Sequence, residues 1–216
     1  MAQDACTVDP GGMLPISLRD GTLVVVRPQT REDRPRLADF FAGLSPRSRY
    51  QRFFTGMPPK LPSRVLDALA DVDGERHVGL VAVRGTRILG AARYLRRPDA
   101  PDVADVAFTV ADELHGRGLG GVLMRELQAH ARRRGVTRFH FDALATNDAA
   151  LSVARGLGAQ LTSSGSTVEG VIYIESGADT PSRPSARAMV RRVARQRPSR
   201  KDSRSRGSAP MTRQSR

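Results

Sequence analysis

The sequence predicts a single α/β domain of the α+β kind, with a mixed, mostly antiparallel central sheet flanked by helices. Three observations carry that expectation. Residues 78–84, 88–95 and 103–110 are β-prone apolar runs at hairpin spacing, broken by Gly85-Thr86 and by residues 97–101. Helical patterns stand on both sides of this meander, and a glycine-rich turn at residues 115–121 opens the longest of them. At 216 residues the chain holds one well-buried core with tails, but not two full domains.

Taken in order, residues 22–27 (TLVVVR) form a β-branched run and the first expected strand. Asp33 is placed to cap a helix through Ala42, with Pro35 in the first turn, where amides lack intrahelical partners. Ser45-Pro46 repeats the signal as an N-cap followed by proline and starts a helix through Phe54. Residues 63–70 make a third short helix, and the three-stranded meander follows. In 119–134, Leu119, Leu123, Leu127 and Ala131 share one stripe, Arg125, Glu126 and Arg132 lie off it, and Gly135 supplies the stop. Residues 139–144 form a strand, Asn147 or Asp148 starts a helix to about Leu157, and 168–174 is the last strand. Residues 1–17 and 176–216 lack period, so the expected organisation is a flexible leader (1–17), a folded domain (18–175) and a disordered basic tail (176–216).

The net charge of +13 suggests a nucleic-acid binder until it is divided along the chain. Residues 181–216 hold 12 Lys and Arg against one acid, which leaves 23 against 21 for the rest. The basicity belongs to the tail, where weak contact with polyanions is the expected role. No apolar stretch is long enough to span a membrane, and no signal core opens the chain. Cys6, the single cysteine, lacks a disulfide or metal partner at a recognisable spacing, so a cytoplasmic chain without a bound metal is expected.

The chemistry concentrates where the strand 103–110 runs into the glycine turn. Glycines at 116, 118, 120 and 121 remove side chains so that amides can approach a ligand, and the helix start adds partial positive charge. A pyrophosphate suits that cradle. A dinucleotide fold needs G-x-G-x-x-G inside a parallel βαβ unit, which the antiparallel meander before this turn does not supply, and no Lys-Ser/Thr follows as in a nucleoside-triphosphate loop.

The segment His115-Gly116-Arg117-Gly118-Leu119-Gly120 resembles the signature of the GCN5-related N-acetyltransferase family, Gln/Arg-x-x-Gly-x-Gly/Ala, with His115 at the first position. Residues 147–159, from Asn147 through Leu157-Gly158-Ala159, are similar to that family's second block. Residues 44–54 (LSPRSRYQRFF) and Ala104-Asp105-Val106-Ala107 look like the acetyltransferase domain of Pat-type protein-lysine acetyltransferases.

The resemblance implies the family's fold over residues 18–175 and acetyl-coenzyme A as acetyl donor. Its contacts would come from Phe108, Val110, His115, Gly116, Arg117, Gly118, Leu119, Gly120, Gly121 and Asn147. It further implies an amine acceptor, either a small molecule or a protein lysine. An ammonium has no lone pair, so a base is needed. The family's strand glutamate falls at Asp105, with Asp102, Asp112 and Glu113 as other candidates. The family's tyrosine acid falls at Ala154, with Tyr50 or Tyr94 as substitutes. Two other readings stay open: a non-catalytic acyl-coenzyme A sensor, and a nucleic-acid-associated protein acting through its tail.

Overall fold

The computed structural model describes residues 12–174; Cys6, most of the leader and the basic tail with its expected polyanion contact lie outside them. In chain order the elements are β1 (Leu14–Ser17), β2 (Leu23–Pro28), α1 (Arg34–Ala42), α2 (Pro46–Phe53), α3 (Ser63–Ala70), β3 (His77–Arg84), β4 (Arg87–Arg97), β5 (Ala100–Val110), α4 (Leu119–Arg133), β6 (Arg138–Leu144), α5 (Asp148–Gly156), β7 (Gln160–Ser164) and β8 (Thr167–Tyr173). The strands form one sheet in the order β1-β2-β3-β4-β5-β6-β8-β7. Neighbours are antiparallel except β5 and β6, which α4 joins as a crossover and which therefore run parallel.

Several expectations are corrected. The leader is not free through residue 17, because β1 pairs with β2 from Leu14↔Val26 to Ser17↔Leu23. Pro15 disguises it: a proline lowers strand propensity but is tolerated on an edge, which is where β1 lies. Strand β7 went unforeseen because its exposed residues Gln160, Ser163 and Ser164 carry no apolar face. The meander strands reach further than expected, β4 to Arg97 and β5 back to Ala100.

Asp33 makes no side-chain cap on α1. It is fully buried, receives two 2.7 Å bonds from the Arg27 guanidinium and one of 3.1 Å from Arg36, and accepts the Thr30 N–H at 3.0 Å. Burial alone would raise its pKa, but these donors pull it to about 2. Ser45 does cap α2, accepting the Ser48 N–H.

The sheet is covered on both faces. Helix α4 lays Leu119, Leu123 and Leu127 on Ala92, Tyr94, Val106 and Phe139. The opposite face carries Leu37, Phe41, Val65 and Leu69 of α1–α3 against Val81, Val83, Ile88 and Ala91. Alternation along β5 sends Val106 under α4 and Asp105 to the other face, where cross-strand pairing sets it beside Leu95 and His140.

One feature of the sheet positions the site. Strands β5 and β6 pair only at Val103↔Arg138, Ala104↔Phe139 and Asp105↔His140. Past that step β5 stays with β4 to Val110, while β6 leaves with β8 to Leu144. The sheet therefore opens into a wedge whose apex is the Asp105–His140 step.

Candidate active site

The wedge is the centre of a cleft of about 1310 Å³ that runs from the glycine turn, between β5 and β6, to the ends of α2 and α3. Past Asp105 the β5 edge facing β6 has no strand partner, so its amides and carbonyls are available to an extended ligand.

The glycine turn closes one end. His115 turns its Nε2 to the Val110 carbonyl at 3.0 Å, which fastens the turn to β5. Gly116 and Gly118 take φ of 74° and 90°, a left-handed geometry that side chains oppose. Gly118 is the N-cap of α4 and provides no side-chain cap, so the first-turn amides of Leu119, Gly120 and Gly121 have neither an intrahelical partner nor a side-chain acceptor. They are donors aimed at the cleft end, suited to phosphate oxygens.

The other residues of the turn divide by role. The Arg117 guanidinium is ion-paired to Asp20, and its carbonyl accepts the Arg19 N–H at 3.4 Å, so the β1–β2 turn braces the glycine turn. Arg19 and Arg125, two cations the sequence reading passed over, line the cleft there. Gly120 is buried, and a Cβ on it would stand 2.9 Å from the Phe108 ring. Its bareness lets α4 sit on β5, so phosphate approach is not its first purpose.

Asn147 lines the far wall and caps α5, its Oδ1 accepting the Ala150 N–H at 3.2 Å. Phe108 and Val110 line the cleft from β5, and Ala154 from α5.

At the apex, Arg97 donates to a single oxygen of Asp105, Nε at 3.1 Å and Nη2 at 2.6 Å to Oδ1. That leaves Oδ2 open to the cleft. The rival acids are engaged elsewhere: Asp112 accepts from Ser45 and Ser48, Glu113 pairs with Arg87, and Asp102 holds Thr137 and Arg138. Tyr94 is fully buried against His130, Tyr50 lies on the surface, and among the described residues no tyrosine lines the cleft.

The structure adds three groups that sequence reasoning missed. His140, Asp142 and Glu169 share the Asp105 face through the register Asp105↔His140 and Asp142↔Glu169. Burial, then the charges of Glu169 and Asp105, push the Asp142 carboxyl up to about 6. Burial and the Arg97 guanidinium push His140 down, which keeps it neutral at pH 7. The signal was present in the alternation of Arg138, His140 and Asp142 with Phe139 and Phe141, a strand with one polar face.

A wedge in a mixed sheet, closed by an uncapped glycine turn and carrying a carboxylate at its apex, suits an acyltransferase that works on a coenzyme A thioester. Comparison with known proteins makes the class specific. A family model described as "Acetyltransferase (GNAT) family" matches residues 45–159, and the chain belongs to that family. It is an N-acetyltransferase that uses acetyl-coenzyme A.

Among its relatives, Acetyltransferase PA5475 of Pseudomonas aeruginosa is 35% identical over 146 residues, 66% of this chain and 77% of that protein. Acetyltransferase Pat of Mycolicibacterium smegmatis is 32% identical over 149 residues, 68% of this chain but 44% of Pat, so the chain spans less than half of that relative. The crystal structure of the GNAT domain of S. lividans PAT superposes with a TM-score of 0.70 at 30% identity, covering 74% of this chain and 96% of that one. Among the described residues no helix is long and apolar enough to cross a membrane.

Proposed function

We propose that the chain transfers the acetyl group to a primary amine, a protein lysine, by direct attack, with Asp105 as general base. The observation that carries this reading is the place of Asp105: a carboxylate at the wedge apex with one oxygen held by Arg97 and the other open to the cleft. Likeness to Pat and to the PAT domain, alongside residues 44–54, motivates the lysine.

The residues present fit acetyl-coenzyme A. The amides of residues 118–121, with Arg19 and Arg125 beside them, would hold the pyrophosphate; the unpaired β5 edge at residues 106–110 would take the amide-bearing arm; and Asn147 would meet that arm from α5. Held in that way, the thioester would lie at the apex. The base takes a proton from the acceptor ammonium, and the freed nitrogen lone pair attacks the thioester carbon. As the C–N bond forms and the C–S bond breaks, the second nitrogen proton is lost to solvent and the thiolate leaves or is protonated by water. A β5 backbone N–H facing the oxyanion would contribute about 3 kcal/mol to the barrier reduction.

Asp142 favours a second reading. A carboxyl titrating at about 6 is nearer the working pH than an ordinary one, which suits a base, directly or through water. Separate Asp105→Asn and Asp142→Asn variants, assayed for acetylated lysine peptide across pH, decide between them. Wild-type protein that binds acetyl-coenzyme A but acetylates no amine would point to the sensor.

A further inference from the structure

The cleft is electrically divided. Its apex carries Asp105, Asp142 and Glu169, while its α2–α3 end is lined by Arg52, Arg64 and Arg93 with His77. At that end the cations lack counter-ions: among the described residues no carboxylate lies within ion-pair distance of Arg52, Arg64 or Arg93.

Arg93 is only 5% exposed and donates to two neutral acceptors, the Leu69 carbonyl at 2.6 Å and Gln29 Oε1 at 3.3 Å. Arg52 is half-buried and rests by its guanidinium on the Phe53 ring, 5.2 Å from the centroid, with no hydrogen bond to any described residue. Loss of solvation lowers both, Arg52 to about 10 and Arg93 to about 9, with the Arg52 charge pressing further on Arg93. Two cations that repel each other in one cleft, one of them buried, are costly unless an anion joins them. His77, its Nδ1 against the Asp71 carbonyl, is held down by burial and by Arg93 and supplies no counter-charge.

We infer that the α2–α3 end of the cleft is an anion subsite, in which Arg52 and Arg93, with Arg64 at the rim, receive a carboxylate or phosphate carried by the amine acceptor. The inference deepens the acetyl-transfer reading and rests on its placement of the amine at the apex. Register supplies the spacing. Arg93 stands opposite Ala107, two residues along β5 from Asp105, so the two are diagonal neighbours on one face, about 7–8 Å apart at the backbone. An acceptor with its amine and its anion a few bonds apart spans that distance, the amine toward the carboxylates and the anion toward the guanidiniums. For a lysine acceptor, the anion is an acidic side chain near it.

The test is binding of ω-amino acids to the full chain in the presence of coenzyme A, by calorimetry. Aminobutanoate, aminopentanoate, aminohexanoate and aminopropyl phosphate are each compared with the uncharged alkylamine of equal length. At least one anionic member binds about tenfold or more tighter than its match, and Arg52→Gln reduces that ratio to about threefold or less, while Arg52→Lys keeps part of it. Arg52 is the residue to change, because Arg93 also ties β4 to α3 and its loss would disturb the fold. No preference in the wild type, or a preference untouched by Arg52→Gln, overturns the subsite. Carboxylate and phosphate members separate the two anion sources. Because binding is read without turnover, a preference without acetylated product would sink the Asp105 reading and leave the subsite standing.

Discussion

Asp105 and His140 face each other across the last paired step between β5 and β6, and beyond them the sheet divides. On the proposed reading, a carboxylate at that step would meet both the coenzyme in the wedge and the acceptor amine. Asp105→Asn is therefore expected to lower turnover about a hundredfold or more at neutral pH, the usual loss for a positioned base. Acetyl-coenzyme A affinity should stay nearly constant, and raising the pH should recover part of the rate as free amine accumulates. Wild-type turnover in the variant across the pH range would reduce Asp105 to a surface acid.

Asp142 links the site to stability. Its folded carboxyl titrates at about 6 against an ordinary 3.8, so the folded state binds the extra proton between those values. Stability due to this group falls as pH rises through that window. Asp142→Asn should gain about 1 kcal/mol at pH 7, a figure discounted for its partial exposure, and nothing below pH 4. Denaturant melts at pH 4 and pH 7 check it; a gain equal at both would contradict the shift.

Asp33 behaves in the opposite sense. With a folded value of about 2, its contribution is complete above 3.8 and is lost as pH falls toward 2. Asp33→Asn should cost about 3–5 kcal/mol at neutral pH, because it strips Arg27 of a bidentate partner in a buried setting. The variant should also lose the acid transition between those values. Neutral-pH stability within about 1 kcal/mol of wild type would contradict the ion pair's importance.

Gly120 and Phe108 meet where α4 crosses β5. A methyl at 120 would stand 2.9 Å from the ring, so Gly120→Ala should lower stability by about 1–3 kcal/mol. Phe108→Leu in the same chain should return part of it. Full stability in Gly120→Ala alone would show that the helix has room to move. Gly116, where a Cβ meets open space, should pay only the strain of its left-handed φ on change to Ala, about 1 kcal/mol.

Acetyl-coenzyme A at about a hundred times its Kd should stabilise the folded chain by about 2.7 kcal/mol. NAD and ATP at equal concentration should do much less, since neither has a thioester arm to fill the wedge. Equal shifts in Tm from all three would oppose a site selective for coenzyme A.

Much of the fold was legible because its signals are local. The Leu119, Leu123, Leu127 stripe, the Ser45-Pro46 cap and the glycines of the turn act over one or two helical turns, and each stands where those signals put it. Strands β1 and β7 were not legible, because Pro15 and the polar β7 acquire strand geometry only from a neighbour's ladder. Asp33 has the sequence of a cap but the role of a buried counter-ion, since Arg27 reaches it from another element.

The same division holds at the site. By itself the sequence determined the glycine turn and the helix it opens, because spacing along one chain sets which amides neighbour each other, while Asp105 came from the family resemblance, with Asp102, Asp112 and Glu113 open beside it. Only the tertiary structure decided that Asp112, Glu113 and Asp102 are engaged elsewhere, that Asp105 keeps an open oxygen, and that Asp142, Glu169, Arg52 and Arg93 share its cleft. Those residues come from β4, β6, β8 and α2, far apart in the chain. Strand register and the parting of β5 from β6 bring them together, and both arise from packing of the whole sheet, which no local pattern encodes.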